Sequence, residues 1–175
     1  MTIYEGLHSF VATGDNYESG LKSKILREVG TVARCIQSIS DITYREFKLQ
    51  RGQFIFLTRI CEQPGINLID LSNVLKVDKT TTTKAIQKLF EENYVQRIRD
   101  TTDKRMWHLY PTDKAVKIYP FIINEENKHI GACFAGFSPE EQEIVCDLMK
   151  RMGENIEQNW KALKSSQSTA CKCTE

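Results

Sequence analysis

The side chains best suited to chemistry in this chain are a run of hydroxyl and ammonium groups between positions 79 and 88. A threonine offers a short hydroxyl to a phosphate or base edge, and a methyl group that can contact the thymine methyl. We expect base and nearby phosphate contacts from Thr80, Thr81, Thr83 and Lys84. Lys79 and Lys88 are expected to contact mainly phosphates. The run therefore predicts a surface for double-stranded DNA.

A helix from Lys79 to about Glu92 is expected to position this run. Asp78 is a good N-cap, since its carboxylate can accept hydrogen bonds from the free N–H groups of Thr80 and Thr81. The inner face would consist of Thr82, Ala85, Ile86 and Leu89. Four consecutive threonines cost about 2 kcal/mol in helix propensity relative to alanine. A surface helix that is merely rich in threonine is the alternative interpretation.

A charged loop between two predicted strands provides a second candidate contact. The strands are Gln96 to Arg99 and Met106 to Tyr110. Within the loop, the Asp103 carboxylate could hold the Arg105 guanidinium by a paired hydrogen bond and direct it into a narrow minor groove. Lys104 is expected to contact phosphate. Alternatively, Asp103 and Arg105 form a surface ion pair contributing well under about 1 kcal/mol.

Two shorter helices complete the unit around this loop. One fits Gly52 to Glu62 and is stopped by Pro64-Gly65, and the other fits Leu68 to Leu75. A helix, a tight turn, a second helix and a two-stranded loop form a winged helix-turn-helix. The predicted fold is mainly α with a small β wing.

The distribution of charge agrees with this location of the surface. The chain has 175 residues and a net charge of only +1, but residues 76–105 contain eight basic and five acidic side chains. The positive excess therefore lies on the predicted recognition helix and wing, as DNA binding requires. An excess of three charges supports the motif without establishing it.

Long amphipathic helices are predicted on both sides of this unit. The first runs from Leu21 to about Phe47, and another from Asp113 to Phe134, where Pro120 should cause a kink or a break. The segment beginning at Ser138 combines an N-cap, a proline and a capping-box glutamate. Its apolar stripe, which needs a partner, contains Ile144, Leu148, Met152, Ile156 and Trp160. The fold is therefore expected to be dimeric through its N- and C-terminal helices.

An enzyme would need a converging set of polar groups, and the sequence contains no nucleotide-binding, zinc-protease or nucleophile-elbow motif. Its three histidines, His8, His108 and His129, are scattered. We expect His108 to be a solvent-facing strand residue. No catalytic residue, metal or cofactor is predicted.

The six cysteines are expected to be reduced thiols in a cytoplasmic protein. Cys35, Cys61, Cys133 and Cys146 lie in helical patterns and are expected to be small buried apolar residues. Cys171 and Cys173 lie in a polar segment, residues 165–175, that is expected to be a flexible tail. They leave open a thiol- or metal-responsive regulator. No apolar run approaches the roughly 20 residues needed to cross a bilayer, and no signal segment is evident.

The succession PGINLIDLSNVLKVDKTTTTKAIQKLFEENYVQRIRDTTDKRMWHLYPTDKA resembles the MarR family of bacterial winged-helix transcription regulators. The resemblance implies a single MarR-like domain over residues 1–175. Its winged helix-turn-helix would span residues 48–112, and its dimerisation helices residues 21–47 and 113–163. Lys79 to Glu92 corresponds to the recognition helix, and Asp103 and Arg105 to the wing tip. Asn93 and Ala115 depart from the glycines usual at those positions.

The same resemblance implies a homodimer that binds a pseudo-palindromic operator. It also implies release of the DNA by a small ligand, often aromatic or anionic, and repression more readily than activation. A winged helix that docks on proteins without binding DNA is the remaining alternative.

Overall fold

The computed structural model describes residues 22–170, with side chains for residues 22–164. The chain divides after Gly52 into two compact units. The first contains helix α1 (Ile25–Thr43). The second contains α2 (Gln53–Glu62), β1 (Ile66–Asn67), α3 (Leu68–Leu75), α4 (Lys79–Glu91), β2 (Val95–Arg99), β3 (Trp107–Pro111), α5 (Asp113–Cys133) and α6 (Pro139–Ala170). The prediction of a mainly α fold with a small β wing is confirmed.

Helix α1 is amphipathic but ends earlier than the predicted Phe47. After Thr43 the chain forms successive turns, in which the N–H groups of Phe47 and Leu49 donate to the Tyr44 carbonyl, both at 3.2 Å. Lys48 adopts a positive φ of 57°, which a helix does not allow. Several large apolar side chains of α1 are exposed, namely Ile25, Leu26, Val32, Ile39 and Ile42.

The core of the second unit lies between α2, α3, α4 and the sheet. The side chains that are fully buried there include Leu57, Ile60, Leu71, Ile86, Leu89 and Leu109. Asn67 begins α3, since its side-chain oxygen accepts from the N–H groups of Ile69 and Asp70, both at 2.9 Å. The Asn67 cap thus fixes the start of α3, and the shared core holds α3 and α4 against each other.

The sheet has three antiparallel strands in the order β1–β3–β2, one more than the sequence predicted. Strand β1 is only two residues long and pairs Ile66 with Leu109. Gly65 precedes it with φ of +90°, and a Cβ at that position would lie 3.2 Å from the Tyr110 hydroxyl. Glycine therefore permits both the turn and the close approach to β3.

Two long helices follow the sheet. Pro120 lies inside α5 without interrupting it, so the predicted break is wrong, while the alternative of a kink stays a prediction. Helix α6 begins with the predicted capping box, in which Ser138 N–H donates to Glu141 Oε2 at 2.8 Å and Glu141 N–H donates to Ser138 Oγ at 3.2 Å. The helix continues to Ala170, beyond Ser165, where the predicted flexible tail begins.

Between residues 22 and 170, no helix combines the length and apolar character that a membrane span requires.

Candidate nucleic-acid interface

Asp78 fixes the start of the recognition helix α4 through two contacts with Thr81. Its Oδ1 accepts from the Thr81 N–H at 2.8 Å, and its Oδ2 accepts from the Thr81 hydroxyl at 2.5 Å. The side-chain hydrogen bond from Thr81, followed by the backbone bond, lowers the pKa of Asp78 below its ordinary value. The predicted N-cap is confirmed, and it favours helix over strand for the threonine run.

The threonines divide between the core and the solvent as predicted. Thr82 is fully buried, and its hydroxyl donates to the Asp78 carbonyl at 3.0 Å. Thr80, Thr81 and Thr83 are exposed. The Thr83 hydroxyl donates to the Lys79 carbonyl at 2.8 Å, while the Thr80 hydroxyl has no partner in the described part of the chain. The outer face therefore presents methyl groups and hydroxyl oxygens to a ligand.

The lysines of α4 differ in their surroundings. Lys79 and Lys84 are exposed on the face that carries the outward threonines. Lys88 lies near the end of the helix, where its Nζ is 3.4 Å from Glu92 and 4.0 Å from Glu91. Because these carboxylates offset its charge, Lys88 is less well placed for phosphate than the other two.

The wing is shaped by carboxylates that accept from backbone amides. Asp100 Oδ1 accepts from Thr102 N–H at 2.7 Å and from Asp103 N–H at 2.8 Å. Asp103 Oδ1 accepts from the Arg105 N–H at 3.0 Å. The prediction that Asp103 holds the Arg105 guanidinium is therefore wrong in its detail, because no ion pair among the described residues joins these two side chains. Lys104 and Arg105 remain exposed at the tip.

His108 is not the solvent-facing residue that the sequence suggested. Its Nδ1 lies 2.7 Å from the Gly65 carbonyl oxygen, and its Nε2 lies 2.8 Å from Asp100 Oδ2. Because Gly65 lies far away in the sequence, only the pairing of β1 with β3 brings it to His108. No local pattern could have indicated this contact.

A groove of about 360 Å³ lies beside the recognition helix, lined by Leu68, Phe90, Arg97 and Trp107. The Arg97 guanidinium carbon is 4.9 Å from the Phe90 ring centre, and its Nη2 donates to Gln87 Oε1 at 2.9 Å. Arg97 Nε is buried without a hydrogen-bond partner in the described part of the chain. Aromatic walls and a guanidinium suit a flat anionic molecule.

The described cysteines do not follow the prediction of burial. Cys35, Cys133 and Cys146 are exposed, and Cys61 is half-buried. Burial, followed by the charge of Glu62, raises the pKa of Cys61 to about 11, so this thiol stays protonated at neutral pH. Residues 22–164 contain no group of three potential metal ligands. Cys171 and Cys173, with residues 171–175 of the predicted tail, lie outside the described residues.

The arrangement of α3, α4 and the wing agrees with comparisons to known proteins. Residues 49–106 match the model of the MarR family. The HTH-type transcriptional regulator YybA of Bacillus subtilis is 39% identical over 140 residues, which cover 80% of this chain and 93% of that protein. The chain belongs to the MarR family. Its family and its named relatives are transcription regulators, which agrees with the prediction of a regulator instead of an enzyme.

Solved structures of MarR-family proteins show the same fold. A MarR protein from Peptoclostridium difficile is 53% identical, with a TM-score of 0.81 over 86% of this chain and 99% of that one. A putative MarR-family regulator from Listeria monocytogenes, solved in complex with a 26mer DNA, is 36% identical. Its TM-score is 0.79 over 83% of this chain and 96% of that one. The winged helix-turn-helix assigned to this MarR-family chain is confirmed.

Proposed function

We propose that this MarR-family chain is a repressor that binds a pseudo-palindromic DNA operator as a homodimer and releases it when a small ligand binds. The observation that supports DNA binding best is the capped helix α4, which exposes Thr80, Thr81 and Thr83 while burying Thr82. A recognition helix inserts its N-terminal residues into the major groove. The DNA complex of the related Listeria protein supports the same assignment.

The proposed contacts follow from where the side chains lie. Thr80, Thr81, Thr83 and Lys84 contact bases and nearby phosphates in the major groove. Lys79, Lys88 and Lys104 contact phosphates. Arg105 enters the flanking minor groove, while Asp103 acts on it indirectly by fixing its backbone N–H.

The proposed dimer buries the apolar faces of the long helices. Leu148, Ile156 and Leu163 of α6 are 47%, 64% and 67% exposed in the single chain. Burying one such leucine or isoleucine completely contributes about 1.5–3 kcal/mol. Exposed apolar residues of α1 and α5 would add to the interface. Twofold symmetry would then place two recognition helices about 34 Å apart, one DNA turn.

The ligand is proposed to bind near the recognition helix. The groove beside Phe90, Arg97 and Trp107 would accept an aromatic anion, because Arg97 supplies positive charge close to aromatic walls. Occupation of the groove would alter the contacts that hold α4 against β2. A panel of aromatic carboxylates, titrated into the protein–DNA complex, tests this part of the proposal. If Arg97→Leu responds to them as the wild type does, the groove is not the ligand site.

A gel shift on the intergenic DNA beside the protein's own gene tests DNA binding, repeated at several salt concentrations. Each neutralised phosphate releases about one counterion. A protein making six to ten phosphate contacts should therefore lose roughly 10³–10⁵ in affinity between about 50 and 200 mM salt. A protein-docking module would give no sequence-dependent shift, and that result would contradict the proposal.

The thiol- or metal-responsive alternative depends on Cys171 and Cys173. If the regulator senses a ligand in the groove, replacing both cysteines with serine should not change how DNA binding responds to peroxide or zinc. Loss of such a response would favour the alternative. Because the proposed target is DNA, we place the action of the protein in the cytoplasm.

A further inference from the structure

His108 joins the wing to the turn that precedes β1. The Nδ1 atom faces the Gly65 carbonyl oxygen at 2.7 Å, and Nε2 faces the Asp100 carboxylate at 2.8 Å. Both partners are acceptors, so each contact needs an N–H on the ring. A neutral imidazole has one N–H, whereas the imidazolium has two. Only the protonated ring forms both hydrogen bonds.

The contact continues from Asp100 into the wing. While Oδ2 contacts His108, Oδ1 accepts from the N–H groups of Thr102 and Asp103. On the other side, Gly65 is fixed to β3, since its N–H donates to the Leu109 carbonyl at 2.8 Å. A chain of hydrogen bonds therefore runs from the sheet through the histidine ring to the first turn of the wing.

We propose that His108 is a positioning residue for DNA binding, whose imidazolium fixes Asp100 and, through it, the wing that presents Lys104 and Arg105. Deprotonation removes one of the two hydrogen bonds, and the wing turn loses its anchor. This inference rests on the proposed function, because it assigns the wing a DNA contact.

The surroundings of His108 define how the wing should respond to pH. Asp100 is the charged group that faces the ring. On β1, Asn67 lies opposite His108 in register and donates to Asp70 of α3 at 2.7 Å. On β2, Ile98 lies opposite His108, while Arg99 lies over the Trp107 ring on the other face of the sheet.

The pKa values agree with the geometry. The hydrogen bond to Asp100, followed by that to Gly65, raises the pKa of His108 above its ordinary 6.5. The bond from His108 contributes most to lowering the pKa of Asp100 to about 2. Because the folded-state pKa of His108 is raised, the anchor is fully present below about pH 6.5 and is lost as the pH rises through the raised value.

The test measures DNA affinity of the full-length protein by fluorescence anisotropy between pH 6 and 9, at constant salt, on a duplex chosen by in vitro selection. We expect wild-type affinity to fall by about tenfold as the pH rises, the effect of one lost charge-assisted hydrogen bond. His108→Gln should bind weakly and with little pH dependence. His129→Gln, the matched change at the other described histidine, should retain the wild-type profile.

NMR titration of the histidine ring protons gives a readout that does not depend on DNA. We expect His108 to titrate above pH 6.5, and Asp100→Asn to lower its pKa. A His108 pKa at or below 6.5, or a His108→Gln profile that matches the wild type, would overturn the inference. Specific binding without pH dependence would leave the proposed function intact, whereas absence of specific binding at every pH would contradict the proposed function itself.

Discussion

Lys76 and Glu157 join the turn of the helix-turn-helix to the C-terminal helix, with 2.7 Å between Lys76 Nζ and Glu157 Oε1. Lys76 ends α3 in the left-handed conformation, at φ of 55°. The Trp160 ring lies beside it, 5.7 Å from Lys76 Nζ and 4.5 Å from Lys164 Nζ. Lys164 in turn lies 3.4 Å from Asn73 Oδ1. Polar contacts therefore connect the helix proposed for dimerisation to α3 and to the turn that precedes the recognition helix.

Replacing Glu157 with glutamine should lower thermal stability in a pH-dependent way. Lys161 and Lys76 lower the pKa of Glu157 from 4.5 to about 2, so its contribution to stability is present above pH 4.5 and lost as the pH falls towards 2. Calorimetry should show a lower melting temperature for Glu157→Gln than for wild type at pH 6, and a difference that narrows below pH 4.5 and vanishes as the pH falls to about 2. Glu154→Gln, an equal charge change on α6, should show no such dependence. An equal difference at both pH values would contradict this role.

Removal of the wing-tip arginine should weaken operator binding. We expect Arg105→Ala to cost about 1–3 kcal/mol in affinity and to reduce the salt slope by about one, while the dimer remains intact. Anisotropy titrations at three salt concentrations measure both quantities. Arg151→Ala removes the same charge from α6 and should change neither. Unchanged affinity in Arg105→Ala would show that the wing does not contribute to operator binding.

Substitutions of two neighbouring threonines of α4 should have different effects, one mainly on DNA sequence preference and the other on protein stability. Thr81→Val should alter sequence preference more than affinity for nonspecific DNA, because the lost hydroxyl lies on the exposed face. The variant also loses the hydroxyl's hydrogen bond to Asp78 Oδ2 but keeps the backbone N–H bond to Asp78 Oδ1 that caps the helix. Thr82→Val should instead lower the free energy of unfolding by about 1 kcal/mol, through loss of its buried hydrogen bond, without changing sequence preference. Selection from random duplexes and chemical denaturation measure the two effects. Equal losses of affinity for specific and nonspecific DNA would indicate that Thr81 contacts only phosphate.

A charge on the apolar face of α6 should separate the protomers. We expect wild type to sediment as the proposed dimer and Leu148→Lys as a monomer at the same concentration, since an unpaired charge in an apolar interface is costly. Glu154→Gln changes the net charge by the same amount and should remain dimeric. Analytical ultracentrifugation distinguishes the outcomes, and a dimeric Leu148→Lys would place the interface elsewhere.

The sequence was sufficient where local signals determine the structure. The bounds of α3 were predicted correctly, and α4 ends one residue before the predicted Glu92. Asp78 specified where α4 begins, and Asn93 adopts the predicted left-handed conformation after it, with φ of 59°. Caps and terminating residues act within a few positions, so their effect can be inferred without tertiary contacts.

The missed features depend on contacts between distant segments. Strand β1 is too short for an alternating pattern, and its pairing with β3 brings Gly65 to His108. Cys133 lies in a helical apolar pattern, yet α5 leaves it exposed in the single chain. Asp103 contacts the backbone of Arg105 instead of its side chain, because the nearby amide competes for the same carboxylate. The spacing of residues in the sequence does not show whether a carboxylate accepts from a nearby backbone amide or from a side chain.

Hydroxyl-radical footprinting of the full-length protein on a selected duplex tests the central claim most directly. Two outward-facing α4 helices related by twofold symmetry should protect two matching segments about one DNA turn, or roughly 10 base pairs, apart. Thr81→Val should change the sequences selected within both segments equally. A single protected segment, or protection that does not depend on sequence, would contradict a symmetric dimer that reads DNA through these threonines.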